Sequence, residues 1–196
     1  MSYYRVQRNE DLMPIWIIIG INLLVWIVTI FNDNIFQSFA LISQLAWGEP
    51  WRIITAMFTH ALWPNWSHII FNMLTFYFFG RLVMNLLGTN WMLLIYLVGG
   101  IIGNLVFILM APNSAAVGAS GAVYALGGAL IVLRPQLRVI MFPLPVPVPL
   151  WAAILVGFVL VLLPGIGVAW QAHLGGLVLG LAAGFLLRKK ARVVLF

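Results

Sequence analysis

"WQAHLGGLVLGLAAG", residues 170–184, is apolar enough to cross a bilayer, yet it carries a histidine near its start and glycines at 176, 180 and 184. Ionisable groups inside a membrane span are costly and mark functional sites by default. Glycines four residues apart form one ridge of a helix, which lets a partner helix come close. The stretch therefore predicts a membrane-crossing helix packed tightly in a bundle, with His173 near one face of the membrane. Composition agrees: of 196 residues, 64% are hydrophobic and only 7% charged. That is too little charge to cover the surface of a soluble domain, so the chain is predicted to be an all-α membrane protein.

Working outward, the apolar runs predict six spans, near residues 14–31, 68–87, 91–110, 118–133, 150–163 and 170–187. A bilayer core of about 30 Å asks for roughly 20 residues, so the fifth run is short. Between the first two runs lies a long segment, 32–67, too polar and too rich in tryptophan to be a span. Trp47, Trp51, Trp63 and Trp66 suit the membrane–water interface, where an amphipathic ring is at home. "FPLPVPVPL" at 142–150 predicts an extended surface connector, because proline removes backbone donors. The first apolar run lacks a small-residue cleavage site after it and reads as a retained span. No internal repeat is visible, and residues 1–196 read as one domain.

The net charge of +6 raises the question of nucleic acid, but the basic residues flank apolar spans. Six spans place both termini on one side, with every lysine and arginine except Arg52 beside them. The positive-inside rule makes that side cytoplasmic and leaves no role for nucleic acid. The absence of cysteine excludes disulfides, thiol nucleophiles and Cys-ligated zinc.

The fourth span opens on "AVGASGAVYAL", residues 116–126, which sets Ser120 between small residues at the outer end of the helix. Small residues at such a place also serve close helix packing. His173 begins the sixth span at the same face, and Gly121 and Gly128 offer the fourth helix a small surface for the 176–180–184 ridge. Contact there brings a hydroxyl and an imidazole within hydrogen-bond reach, as an activated nucleophile requires. "HIIFN" at 68–72 puts His68 and Asn72 on one face of the second span, two donors suited to a developing oxyanion. Tyr124, one turn after Ser120, is placed to pack on His173.

"GASG" at 118–121 with Tyr124, "AHLGG" at 172–176, "HIIFN" at 68–72 and "WRIITAMFTH" at 51–60 together resemble the rhomboid intramembrane serine proteases, in order and over nearly the whole chain. The resemblance implies a six-helix bundle with a long interfacial first loop and a water-filled cavity open to the outside. It assigns Ser120 as nucleophile and His173 as general base, with no cofactor or metal. It gives the oxyanion to the Ser120 amide, His68 and Asn72, and supporting roles to Gly118 and Tyr124. His60 matches a structural first-loop histidine. Substrates would be single-span membrane proteins met in the lipid bilayer, with helix-destabilising residues and a small side chain at the cleavage point. The location would be the cell membrane, with both termini cytoplasmic.

Two departures stand out from the family pattern. The first loop is one residue shorter between His60 and His68, with Pro64 and Asn65 where another histidine is often found, and Met84 and Asn85 stand where a glutamate is usual. Two other classes also fit parts of the sequence: a haem or metal protein using His60, His68 and His173, and a non-catalytic membrane chaperone of the same family.

Overall fold

The computed structural model describes residues 11–62, 64–140, 146–162 and 167–191. Arg5, Arg8, Trp63, Arg192, the start of the proline-rich connector and the end of the predicted fifth span lie outside these residues.

The chain is mainly helical. Helix α1 (Met13–Phe31) begins with proline in its first turn, where a missing N–H costs nothing. A short helix α2 (Asp33–Phe39), a strand β1 (Leu41–Ile42) and a single turn α3 (Arg52–Thr55) follow, before α4 (Ser67–Leu87) and α5 (Thr89–Met110). Strand β2 (Ala115–Ala116) leads to α6 (Ser120–Leu133), then β3 (Arg138–Ile140), β4 (Pro147–Pro149), α7 (Leu150–Val161), α8 (Trp170–Leu187) and a 3-10 turn (Arg188–Lys190). Helices α1, α4, α5 and α8 with its 3-10 extension are long and apolar enough to cross a membrane, while α6 and α7 are apolar but shorter. All six predicted apolar segments are helical, and their ends fall within two residues of the expected positions wherever they are described. Large apolar side chains such as Trp16, Leu24, Phe71, Phe78 and Leu155 remain exposed, as lipid-facing positions should.

The centre of the molecule is the contact of α6 with α8, the most extensive between any two elements. The glycine ridge explains it. A Cβ on Gly176 would collide with the Gly121 carbonyl, one on Gly180 with that of Ala125, and one on Gly184 would lie 2.8 Å from that of Ala129. The contacts advance by four residues along both helices in the same direction, so α6 and α8 run parallel. Their first turns, bearing Ser120 and His173, thus share one end of the bundle. Helix α5 is antiparallel to α8: Gly99 faces Leu179, and Gly103 faces the carbonyl of Ala172. Gly99, Gly100 and Gly103 thus form a second small-residue surface on α5.

Two findings amend the expected picture. First, the fold is not purely helical. Strands β1 and β2 pair antiparallel through Leu41–Ala116 and Ile42–Ala115, and β3 pairs with β4 across Val139–Val148. The described part of the proline-rich connector, Pro147–Pro149, is extended, and Val148 between two prolines retains an N–H for a ladder bond.

Second, the described residues of segment 32–67 form a packed element. Arg52 is buried, ion-pairs with Glu49, and donates to the carbonyls of Gln37 and Ala40. Thr55 Oγ1 donates to the Phe39 carbonyl at 2.9 Å, and Asn104 of α5 donates to the Ile53 carbonyl at 2.8 Å. Arg52, the one cation assigned to the outer side, is therefore the pin of this element. Trp47, Trp51 and Trp66 are exposed around it, in keeping with an interfacial position.

Candidate active site

Helix α6 has 14 residues, a rise of about 20 Å, well short of a bilayer core. The chain ahead of it must reach Ser120 through irregular backbone, which lipid tolerates only where protein or a water-filled cavity covers it. The packed first loop supplies the cover: β1 pairs with β2, Ser43 donates to the Ala111 carbonyl, and the Gly118 amide donates to the Ala56 carbonyl at 2.9 Å.

Ser120 is the first residue of α6, and its cap residue Ala119 offers no side-chain hydrogen bond. The first amides of a helix have no intrahelical acceptor, and they lie at the positive end of the helix dipole. The Ser120 N–H is one of these first-turn donors.

His173 Nε2 lies 2.7 Å from Ser120 Oγ. The imidazole is buried and stacks on the Tyr124 ring at 4.4 Å with an interplanar angle of 15°. Tyr124 is held in turn edge-on by Phe158 of α7. For Nε2 to accept the serine proton, Nδ1 must carry the other one. His173 Nδ1 is buried with no protein partner among the described residues. Among the described residues, the ring is held by stacking and by the α6–α8 contact, with no carboxylate bonded to it. Of the four acids, Glu10 lies outside the described residues, Asp11 accepts from the Met13 amide, Asp33 sits in the first turn of α2, and Glu49 pairs with Arg52.

The two other polar residues of interest come from the first turns of α4. His68 Nδ1 accepts from the Ala61 amide at 3.3 Å. That bond leaves the ring proton on Nε2, aimed toward residues 118–120. The shortened first loop makes the bond, since Asn65 turns back on Leu62 and its carbonyl accepts from the His68 amide. Asn72 donates an amide hydrogen to the His68 carbonyl at 2.8 Å and, together with Ser120 and Tyr124, lines a cavity of about 780 Å³. The cavity lies between α4, α6 and α7. Met84, where the family's glutamate is usual, is fully buried in the apolar core.

Gly118 has φ +127°, and a Cβ there would lie 2.8 Å from His68 Cε1 and Nε2. Alanine would be strained by about 1–3 kcal/mol and would also push the imidazole away. If the roles proposed below hold, Gly118→Ala should lower turnover by at least about tenfold, at 1.36 kcal/mol per decade. Steady-state cleavage by the folded variant, relative to wild type, checks this.

His60 is fully buried, 5.2 Å from the His68 ring between centroids. Burial, with a smaller contribution from His68, lowers its pKa to about 3. A histidine held neutral in the fold but free to protonate on unfolding stabilises fully above its ordinary pKa of 6.5, and that contribution is lost as pH falls toward 3. Thermal unfolding in detergent should therefore weaken below pH 6.5, by at most about 1.4 kcal/mol per pH unit from this group. His60→Phe should flatten the slope.

The six residues singled out for the site, Ser120, His173, Tyr124, Gly118, His68 and Asn72, lie together, with the first-loop His60 behind His68. Among the described residues, no three His, Cys, Asp or Glu side chains form a metal-ligand group.

Comparison with known proteins accords with this geometry. Residues 47–190 match the rhomboid domain family. The chain is 32% identical over 140 residues to the rhomboid protease GlpG of Haemophilus influenzae, covering 70% of each chain. It is 34% identical over 140 residues to RHOMBOID-like protein 6, mitochondrial, of Arabidopsis thaliana, covering 71% of this chain and 44% of that one. Similarity to Rhomboid protein 1, mitochondrial, of Saccharomyces cerevisiae is 31% over 149 residues, with 70% and 42% covered. This chain thus spans less than half the length of the two eukaryotic relatives.

The fold and the match define a multi-pass membrane protein. The chain belongs to the rhomboid family.

Proposed function

We propose that this protein is an intramembrane serine endopeptidase working through a Ser120–His173 dyad. The 2.7 Å contact between Ser120 Oγ and His173 Nε2 carries the reading. In the first step Oγ adds to the scissile carbonyl carbon while its proton passes to Nε2. The resulting oxyanion is held by the Ser120 amide, the His68 Nε2–H and an Asn72 amide hydrogen. The imidazolium then returns the proton to the leaving amine, and a water deprotonated by His173 hydrolyses the acyl-enzyme.

The parallel run of α6 and α8 supports six crossings, since α7 must return the chain between them. Basic residues at the ends remote from Ser120 support cytoplasmic termini in a cell membrane. Substrates are single-span membrane proteins, reached through the gap between α4 and α7. Helix α7 suits a movable wall because it buries only Leu150 and Ile154. A substrate helix has its backbone bonds already made, so helix-breaking residues near a small side chain at the scissile bond favour attack.

A dyad makes a prediction about acids. In soluble serine proteases, spoiling the orienting aspartate costs about 10⁴-fold in turnover. Here Asp33→Asn and Glu49→Gln should each leave turnover on a single-span reporter within roughly tenfold of wild type, well short of that loss. A collapse in either folded variant would restore a triad.

A further inference from the structure

The cavity that holds Ser120 continues past the site. Its walls run along Phe78 and Leu82 of α4 and Ile154 and Leu150 of α7, and it ends at Arg138 of β3. Helix α6 separates the two ends by about 20 Å. Arg138 is exposed and makes no ion pair among the described residues. The acids of the chain, at 10, 11, 33 and 49, all precede α4. Among the described residues, an apolar trough therefore ends in a cation that no acid pairs with.

What fits is an amphiphile with a long apolar body and an anionic head. Two occupants meet that description in part. A transmembrane substrate would present its inner flank at Arg138, but such flanks are commonly rich in lysine and arginine and would be repelled. A phospholipid always places a phosphate at this depth, and guanidinium binds phosphate bidentately. Its acyl chains span one leaflet, about 15 Å, and so end short of Ser120.

We infer that the half of this cavity remote from Ser120 is a phospholipid site, with the headgroup phosphate on Arg138 and an acyl chain between α4 and α7. A substrate helix arriving through the same gap must displace this lipid, so the lipid sets the threshold for access. That consequence rests on the protease reading; the binding of lipid does not.

The test is native mass spectrometry of detergent-purified protein titrated with dioleoyl phosphatidylglycerol. Wild type should retain one lipid tightly. Arg138→Gln should weaken binding about fivefold, the equivalent of roughly 1 kcal/mol per basic residue at an anionic surface. Arg81→Gln, removing an exposed cation that does not line the cavity, should change nothing. Ala153→Trp, which fills the trough, should abolish retention; if it does not fold, the two arginine variants decide. Equal behaviour of Arg138→Gln and Arg81→Gln would overturn the proposal, as would retention by folded Ala153→Trp. It would also fall if an acid at a substrate's inner flank lowered KM for wild type but not for Arg138→Gln, because Arg138 would then be reading the substrate.

Discussion

Ser120→Ala and His173→Ala should each abolish cleavage while leaving a folded, membrane-inserted protein, with turnover falling by as much as about 10⁶-fold. Neither side chain holds the helices together. The α6–α8 contact rests on Gly121, Gly176, Gly180 and Gly184 meeting backbone, so truncating the dyad leaves the interface in place. Members of one catalytic unit are grossly non-additive, and the double variant should be no worse than either single one. Cleavage of a single-span reporter in vesicles, alongside thermal unfolding, separates lost chemistry from lost fold. His173→Ala also unstacks Tyr124, so a modest fall in unfolding temperature is expected there and not for Ser120→Ala.

The second large effect concerns the oxyanion. His68→Ala and Asn72→Ala should each lower turnover by about 100- to 1000-fold with little change in KM, because in the proposed mechanism these donors meet charge present only in the transition state. The two variants differ in what else they disturb. Asn72 donates one hydrogen back to its own helix, so its removal leaves α4 intact. His68 also accepts from the Ala61 amide, and its loss frees that loop turn. His68→Gln, able to donate at a similar reach, should recover part of the loss. Equal losses in KM and turnover for both alanine variants would mean that they shape the cavity rather than stabilise charge.

Helix positions and the convergence of Ser120 with His173 were legible in the sequence because both rest on regular periodicity. The four-residue glycine spacing of α8 fixes a helix face, and the small residues of α6 have the same pitch, so depth and proximity follow from arithmetic. The first loop was not legible in this way. Arg52 is pinned by the carbonyls of Gln37 and Ala40, and backbone acceptors leave no mark on residue type. The two-residue pairing of β1 with β2 is too short to show an alternating pattern. The lateral cavity was hidden for a related reason: it exists because α7 packs loosely, and an apolar 12-residue run reads alike whether buried in protein or bathed in lipid.

The proposed activity stands or falls on whether Ser120 is a nucleophile made reactive by His173. The most direct measurement is exposure of the bilayer-embedded protein to a fluorophosphonate, followed by mass mapping of the adduct. Wild type should carry one covalent phosphonyl group on Ser120, and both Ser120→Ala and His173→Ala should carry none. An unlabelled Ser120 in protein that cleaves its reporter, or equal labelling of the His173→Ala variant, would contradict the account.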